Sequence, residues 1–224
     1  MTSKEAYKKY LLKINKNDTN SNIKVSKGEF VLMFNEWMYQ WVDEKFDKFL
    51  DSSDINELEY LLVKDIKLTQ TGKDKNSVHF KFPKDLLKYA SSYSEAEKGG
   101  CSSVLVNWNV KPRNVNVLLK DENNNPSFEY EETICTLEDG SLIVYVSDFT
   151  IKNQYLSYYK LPTAIDLEGY IKVDGSRSSN IDPMLSMPDL HIDQIINRCV
   201  IETTISYENA QATNLSASRL KLES

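Results

Sequence analysis

The sequence predicts an α+β fold: an N-terminal helical hairpin or bundle, an antiparallel β-sheet middle and a long C-terminal amphipathic helix. Three observations carry this. Ser26 and Glu29 form a capping box opening a segment studded with Phe30, Phe34, Trp37, Trp41, Phe46 and Phe49. Ser103 to Val110 alternates polar and apolar, and Glu138-Asp139-Gly140 divides two further apolar runs as a hairpin turn would. Finally, Pro188 opens a stretch in which Leu190 or Ile192, then Ile195, Ile196, Cys199, Val200 and Thr203 recur at three- and four-residue intervals.

The elements follow in order. Lys4 to Asn15 places Tyr7, Tyr10, Leu11 and Ile14 on one helical face, and Lys16 to Asn22 is a loop by composition. The aromatic helix from Ser26 has more apolar surface than one ordinary stripe needs. Its own core accounts for that surface first, and a second contact is the alternative. Asp51-Ser52-Ser53 joins it to a short helix, about Ile55 to Val63, whose capping box is Asp54 and Glu57. Ile66 to Thr69 and Val78 to Phe82 read as a β-hairpin with a polar tip. Pro83 then suggests a helix from Lys84 to about Lys98, ended by Gly99-Gly100.

In the middle, Val104, Val106, Trp108 and Val110 share one strand face. Val115 to Leu119 suits either a strand or a short helix. Phe128 to Leu137, Ser141 to Val146 and Phe149 to Leu161 are strands, the last read as central, and the short connections imply antiparallel pairing. The final helix is expected to end near Asn209. The domain reading is a mainly helical region over 1–100 with a β-hairpin near 66–82, then a β region over 101–186 with an extended loop at 163–186. A helix over 187–209 packs back on the bundle, and 210–224 is a flexible tail; together these make one composite domain.

Composition limits function. The 224 residues are 41% hydrophobic and 27% charged, values of a globular chain rather than a disordered one. A net charge of −6, with only Arg113, Arg177, Arg198 and Arg219 as arginines, argues against binding nucleic acid by phosphate neutralisation. Cys101, Cys135 and Cys199 lack the spacing of a disulfide framework or zinc site and read as buried free thiols. The polar N-terminus and the lack of any apolar run of membrane-spanning length imply a reducing, aqueous compartment, or a particle assembled there.

Catalytic chemistry finds no foothold in the sequence. His79 and His191 are far apart and lack neighbouring ligands at metal-binding spacing. No nucleophile elbow, P-loop, dinucleotide fingerprint or zinc-protease pattern occurs, and only 7 glycines are present. Asp166, Asp174 and Asp182 do not follow a calcium-loop pattern. No catalytic residue, cofactor or metal is therefore assigned. The acidic run Glu129 to Glu132 is a solvated edge or a match for a basic partner surface. Tyr155, Tyr158, Tyr159 and Tyr170 are sheet packing first and contact residues second.

The succession Leu156-Ser-Tyr-Tyr-Lys-Leu-Pro162, Ile165-Asp166, Glu168-Gly169, and then Pro188, His191, Ile195-Ile196 and Val200 resembles tailed-bacteriophage head-to-tail connector proteins. The closest likeness is to ring proteins of crAss-like phages and, more distantly, to the podovirus tubular adaptor. Lys160 stands where an arginine commonly precedes the proline, and Asn35-Glu36-Trp37 in the front helix also fits. The resemblance implies a structural virion protein in the phage neck or tail, assembled in the bacterial host cytoplasm. It implies a cyclic, about dodecameric homo-oligomeric ring that contacts the portal protein and other connector or tail proteins. DNA would pass transiently without specific binding, and no membrane is involved. On this reading Trp37, Trp41, Tyr158, Tyr159, Pro162, Ile195 and Ile196 are contact residues. The alternatives are a monomeric protein-binding module, from phage or host, and an enzyme with an unrecognised site.

Overall fold

The computed structural model describes residues 1–15, 23–51, 56–121, 123–182 and 187–222, with side chains described except at 47–51, 56–57 and 208–222. The loop at 16–22, the joint at 52–53, the Asp54–Glu57 capping box, the side chain of Phe49 and the segment 183–186 lie outside the described residues. The chain folds as two units, as follows. A helical unit takes in Met1–Tyr60 and Pro162–Ser224, and a sheet unit Leu61–Leu161. The sheet is thus inserted into the helical unit, which corrects the expected boundaries at 100 and 186.

In the helical unit, α1 (Ser3–Ile14) and α2 (Lys27–Asp51) both pack against α4 (Asp189–Leu222). Thr2 caps α1 through a reciprocal box with Glu5. The expected box on α2 is present: Ser26 N donates to Glu29 Oε2 at 2.7 Å, and Glu29 N donates to Ser26 Oγ at 3.2 Å. Tyr10, Phe30, Phe34, Met38, Trp41, Ile192, Ile195, Ile196 and Cys199 are buried. Phe30 meets Tyr10 at 4.9 Å and Phe34 at 5.6 Å between ring centroids. Most of the aromatic surplus of α2 is therefore core. The chain after α2 forms a 3-10 turn (Asn56–Leu61) rather than an α-helix to Val63, because Leu62 and Val63 already pair in a strand. The C-terminal helix runs on to Leu222, past the expected end at Asn209.

The sheet unit is a curled, mixed sheet of eight strands: β1 (Leu62–Lys67), β2 (Thr69–Lys73), β3 (Ser77–Lys81), β4 (Leu86–Lys98), β5 (Cys101–Asn109), β6 (Glu132–Glu138), β7 (Ser141–Tyr145) and β8 (Thr150–Lys160). Their order is β1-β8-β4-β5-β6-β7-β3-β2. Register slips along β4 and β8, the bulges that bend a sheet, accompany the curl. Leu68, Phe80, Leu105, Leu142, Val144 and Leu156 form its core. β8 lies one place from the edge, between β1 and β4, and not at the centre.

Three expectations change here. Residues 86–98 are the strand β4, not a helix. Ser92, Ser94 and Ala96 alternate inward, and Gly99-Gly100 is a two-residue hairpin turn with φ of 57° and 85°, not a helix cap. Ile66-Lys67 belongs to β1, and the hairpin partner of β3 is β2, beginning at Thr69. Val115 to Leu118 is helical, within α3 (Pro112–Leu118), with proline in its first turn. α3 is the crossover that lets β5 and β6 run parallel, as Val106 opposite Glu132 and Trp108 opposite Ile134 show; the other strand pairs are antiparallel.

Val104, Val106 and Trp108 face outward, and Leu105 and Asn107 face in. The inward face is closed by a polar network that no hydrophobic pattern reveals. Asn107 Nδ2 donates to Ser92 Oγ at 3.0 Å, and the Ser94 hydroxyl lies 2.8 Å from Asn107 Oδ1 and 2.6 Å from Gln154 Oε1. All four residues are buried.

Candidate functional site

The helical unit carries two exposed apolar features. The first is a groove of about 510 Å³ between α2 and α4, lined by Trp37, Glu44, Arg198, Ile201, Glu202 and Ile205. Helical geometry creates it. Ile201 lies two residues beyond the buried Cys199, about 200° round α4, so it leaves the core face, and Ile205 follows one turn later. Polar pairs fix the groove walls. Trp37 Nε1 donates to Glu202 at 2.6 Å, and Arg198 donates two hydrogen bonds to Glu44, at 2.8 and 2.6 Å. The guanidinium also lies 5.4 Å from the Trp37 ring centroid, and its hydrogen bonds with Glu44 raise its pKa further.

The second feature is the loop after Pro162. Its apex is a small hairpin: Ile171 bridges Arg177, Lys172 N donates to Ser176 O at 2.9 Å, and Gly175 turns at φ 80°. Buried Asp166 organises its base. The carboxylate accepts from Leu167 N and Tyr170 OH at 2.8 Å, from Ser179 N at 3.3 Å, and from Lys172 Nζ at 2.7 Å. Burial by itself would raise the Asp166 pKa. The hydrogen bonds from Lys172, Tyr170, Leu167 and Ser179 outweigh it and hold the group at about 2. Burial, then the bond to Asp166, pushes the Tyr170 hydroxyl up to about 12. Between this loop and the first half of α2 lies a second apolar groove, of about 630 Å³, bordered by Leu32, Ile171 and Val173.

The residues read as contacts in the sequence fall mostly inside. Trp41 is buried, lies with its ring centroid 4.6 Å from that of His191 at a tilt of 38°, and donates from Nε1 to Gln194 at 2.9 Å. Ile195 and Ile196 are fully buried, as is most of Tyr158, Tyr159 and Pro162, and the Tyr158 hydroxyl donates to Asp85 at 3.0 Å. Only Trp37 reaches a surface feature. Sequence reasoning missed Ile201, Ile205, Ile171 and Val173. The isoleucines of α4 had a legible signal, since their helical angle opposes the core stripe.

The histidines and loop carboxylates are held in separate local pairings. His79 Nε2 lies 2.9 Å from Asp74 Oδ2 and 3.3 Å from Ser77 Oγ. A relay needs one ring nitrogen for the carboxylate and the other for the hydroxyl, and here both partners crowd one nitrogen at a hairpin tip. Asp166, Asp174 and Asp182 are engaged separately, with Lys172, Ser176 and Ser3 N. Among the described residues no three His, Cys, Asp or Glu side chains gather as a metal site, and no helix is long and apolar enough to cross a membrane. Cys135 and Cys199 are buried as expected, but Cys101 is exposed beside the Gly99-Gly100 turn. No protein-family model matches the chain, and no curated protein matches it in sequence.

Proposed function

We propose that this chain is a structural subunit of a tailed-bacteriophage head-to-tail connector, forming a ring between portal and tail and contributing to the DNA channel. The observation that carries the reading is the presence of two separate apolar features on the helical unit, the Trp37–Ile201–Ile205 groove and the Ile171–Val173 hairpin. A subunit that joins like copies head to tail needs two such unlike surfaces. The order of residues from Leu156 to Val200 that resembles connector proteins adds to it. The net charge of −6 suits a passage along which DNA slides without sticking. In this reading the role is assembly, without catalysis.

A monomeric protein-binding module is the second reading, favoured by the outward stripe Val104, Val106 and Trp108 on the sheet unit. Quantitative mass spectrometry of gradient-purified particles separates the two. Recovery at the copy number of the portal supports a connector, whereas absence from intact particles leaves the binding module.

A further inference from the structure

We infer that the cavity beside Trp108 binds a guanidinium carried on an aliphatic stem, the chemistry of an arginine side chain. The inference concerns the sheet unit alone and does not depend on the ring reading.

The crossover from β5 to β6 makes the cavity. On the parallel pair, Val106 stands opposite Glu132 and Trp108 opposite Ile134. Between these strands and the crossover lie about 380 Å³, lined by Trp108, Val110, Leu118, Asn125, Glu132 and Ile134 among others. That is near the small end of the roughly 300–1,000 Å³ found for ligand pockets, a size for one side chain or a small molecule. The turn that follows α3 is held from within. Asp121 accepts from Asn123 N at 3.0 Å and from Asn124 Nδ2 at 2.7 Å, so this wall is formed before a ligand arrives.

The lining selects a cation. Glu132 is its only charged residue, and no cation among the described residues pairs with it. Its Oε2 accepts from Trp108 Nε1 at 3.0 Å, which fixes the indole, 58% exposed, beside the carboxylate. A carboxylate and an indole at one side of aliphatic walls suit a positive head on an apolar stem. The surrounding charge agrees. From Val110 to Glu132 the sequence carries Lys111, Arg113 and Lys120 against Asp121, Glu122, Glu129, Glu131 and Glu132. Lys98 and Asp148, which pair at Glu129, leave that excess unchanged.

The helical unit shows which cation fits such a pair. Trp37 donates from Nε1 to Glu202 at 2.6 Å, as Trp108 does to Glu132. Arg198 lies 5.4 Å from the Trp37 ring centroid while donating two hydrogen bonds to Glu44. Lys45 lies 5.3 Å from the Trp41 ring. Trp108, the third tryptophan, has no cation of this chain over its ring among the described residues. A planar guanidinium can lie against an indole and still direct N–H groups at a carboxylate, whereas an ammonium has no such plane. The Asn125 side chain, without a hydrogen-bond partner among the described residues, adds a further acceptor to the lining.

The test follows the three indole N–H signals of the isotopically labelled full chain by NMR during titration with Nα-acetyl-arginine methylamide. Trp108→Phe identifies the Trp108 signal by its loss. That signal is expected to shift to saturation with a Kd of about 1 mM, while the Trp37 and Trp41 signals stay in place. Glu132→Gln keeps an acceptor for the indole and removes only the charge. It should weaken binding about tenfold or more, whereas Glu131→Gln, on the exposed neighbour, should leave binding unchanged. No saturable shift up to about 50 mM would overturn the inference. Equal binding of the uncharged Nα-acetyl-norleucine methylamide would also overturn it, in favour of an apolar slot. Equal weakening by Glu131→Gln would overturn it in favour of diffuse charge. Free L-arginine separates two sources of a ligand that does bind: the capped form binding more tightly marks an arginine within a partner chain, and the free form a small molecule. Thermal unfolding checks each variant, and if Glu132→Gln unfolds, the norleucine comparison on the wild type decides whether charge is read.

Discussion

Asn35 pairs with both main-chain groups of Ile165, a residue far along the chain: its Nδ2 donates to Ile165 O at 3.1 Å, and its Oδ1 accepts from Ile165 N at 2.8 Å. A single helix side chain thus imitates the neighbouring strand that this loop lacks. With the Lys27 Nζ bond to Glu168 O at 2.8 Å, it fastens the returning chain to α2 just where the loop begins.

Replacing Asn35 by alanine leaves both Ile165 groups, on a buried residue, without partners. Destabilisation of about 2 kcal/mol is expected, within the usual range for orphaned buried polar groups. Hydrogen exchange should quicken first at the Ile165 and Asp166 amides. Unchanged exchange there would contradict the anchoring role.

The Asp166 carboxyl gives a pH signature. Its pKa in the fold, about 2, lies below the ordinary 3.8, so its stabilisation is fully present above pH 3.8 and is lost as pH falls toward 2. The contribution is roughly 2 kcal/mol at neutral pH. The stability difference between wild type and Asp166→Asn, measured by denaturant unfolding from pH 7 down to 2, should shrink across that window. A difference that stays constant would show that the carboxylate charge is not what holds the loop.

The thiols should separate by reactivity. Burial pushes Cys135 up to about 11 and Cys199 up to about 12, and both are enclosed, while Cys101 is exposed. Alkylation under native conditions should label one cysteine, identified by peptide mapping as Cys101, and the other two only after unfolding.

The polar network inside the sheet is expected to be costly to break. Asn107→Ala removes the donor to Ser92 and one acceptor beside the Ser94 hydroxyl, which keeps only Gln154, a loss of about 1–3 kcal/mol. Asn107→Leu restores volume but not partners, so it should remain destabilised in chemical denaturation. Full recovery would mean that packing, not hydrogen bonding, holds this layer.

The parts of the fold legible in the sequence were those where one physical signal acted alone. The Ser26–Glu29 box, the Asp139-Gly140 turn and the Ile195–Ile196–Cys199 face each follow from local geometry. On β5 the inward side holds Leu105 and Asn107 and the outward side Val104, Val106 and Trp108, so the alternation was legible but not which face is buried. β4 misled because Ser92 and Ser94, read as part of a helix, are inward residues of a long strand, satisfied by Tyr89 of the same strand and by partners on β5 and β8. The contact surface was half legible. Trp37 drew notice as an aromatic residue, but its exposure depends on Glu202 and Arg198, which lie far along the chain on α4.

The insertion of the sheet between Tyr60 and Pro162 has a consequence for biosynthesis. Its first and last strands are neighbours, with Leu62 opposite Tyr159, so the inserted segment leaves close to where it entered and can finish folding as soon as residue 161 is made. α1 and α2 cannot do so, since the helix that covers them is synthesised last. At ribosomal rates of about 5–20 residues per second, their apolar faces stand open for roughly 5–20 s while the sheet emerges. The nascent chain therefore passes through a stage with a finished sheet and an uncovered helix pair, and that stage is where a chaperone would find its longest opportunity to bind.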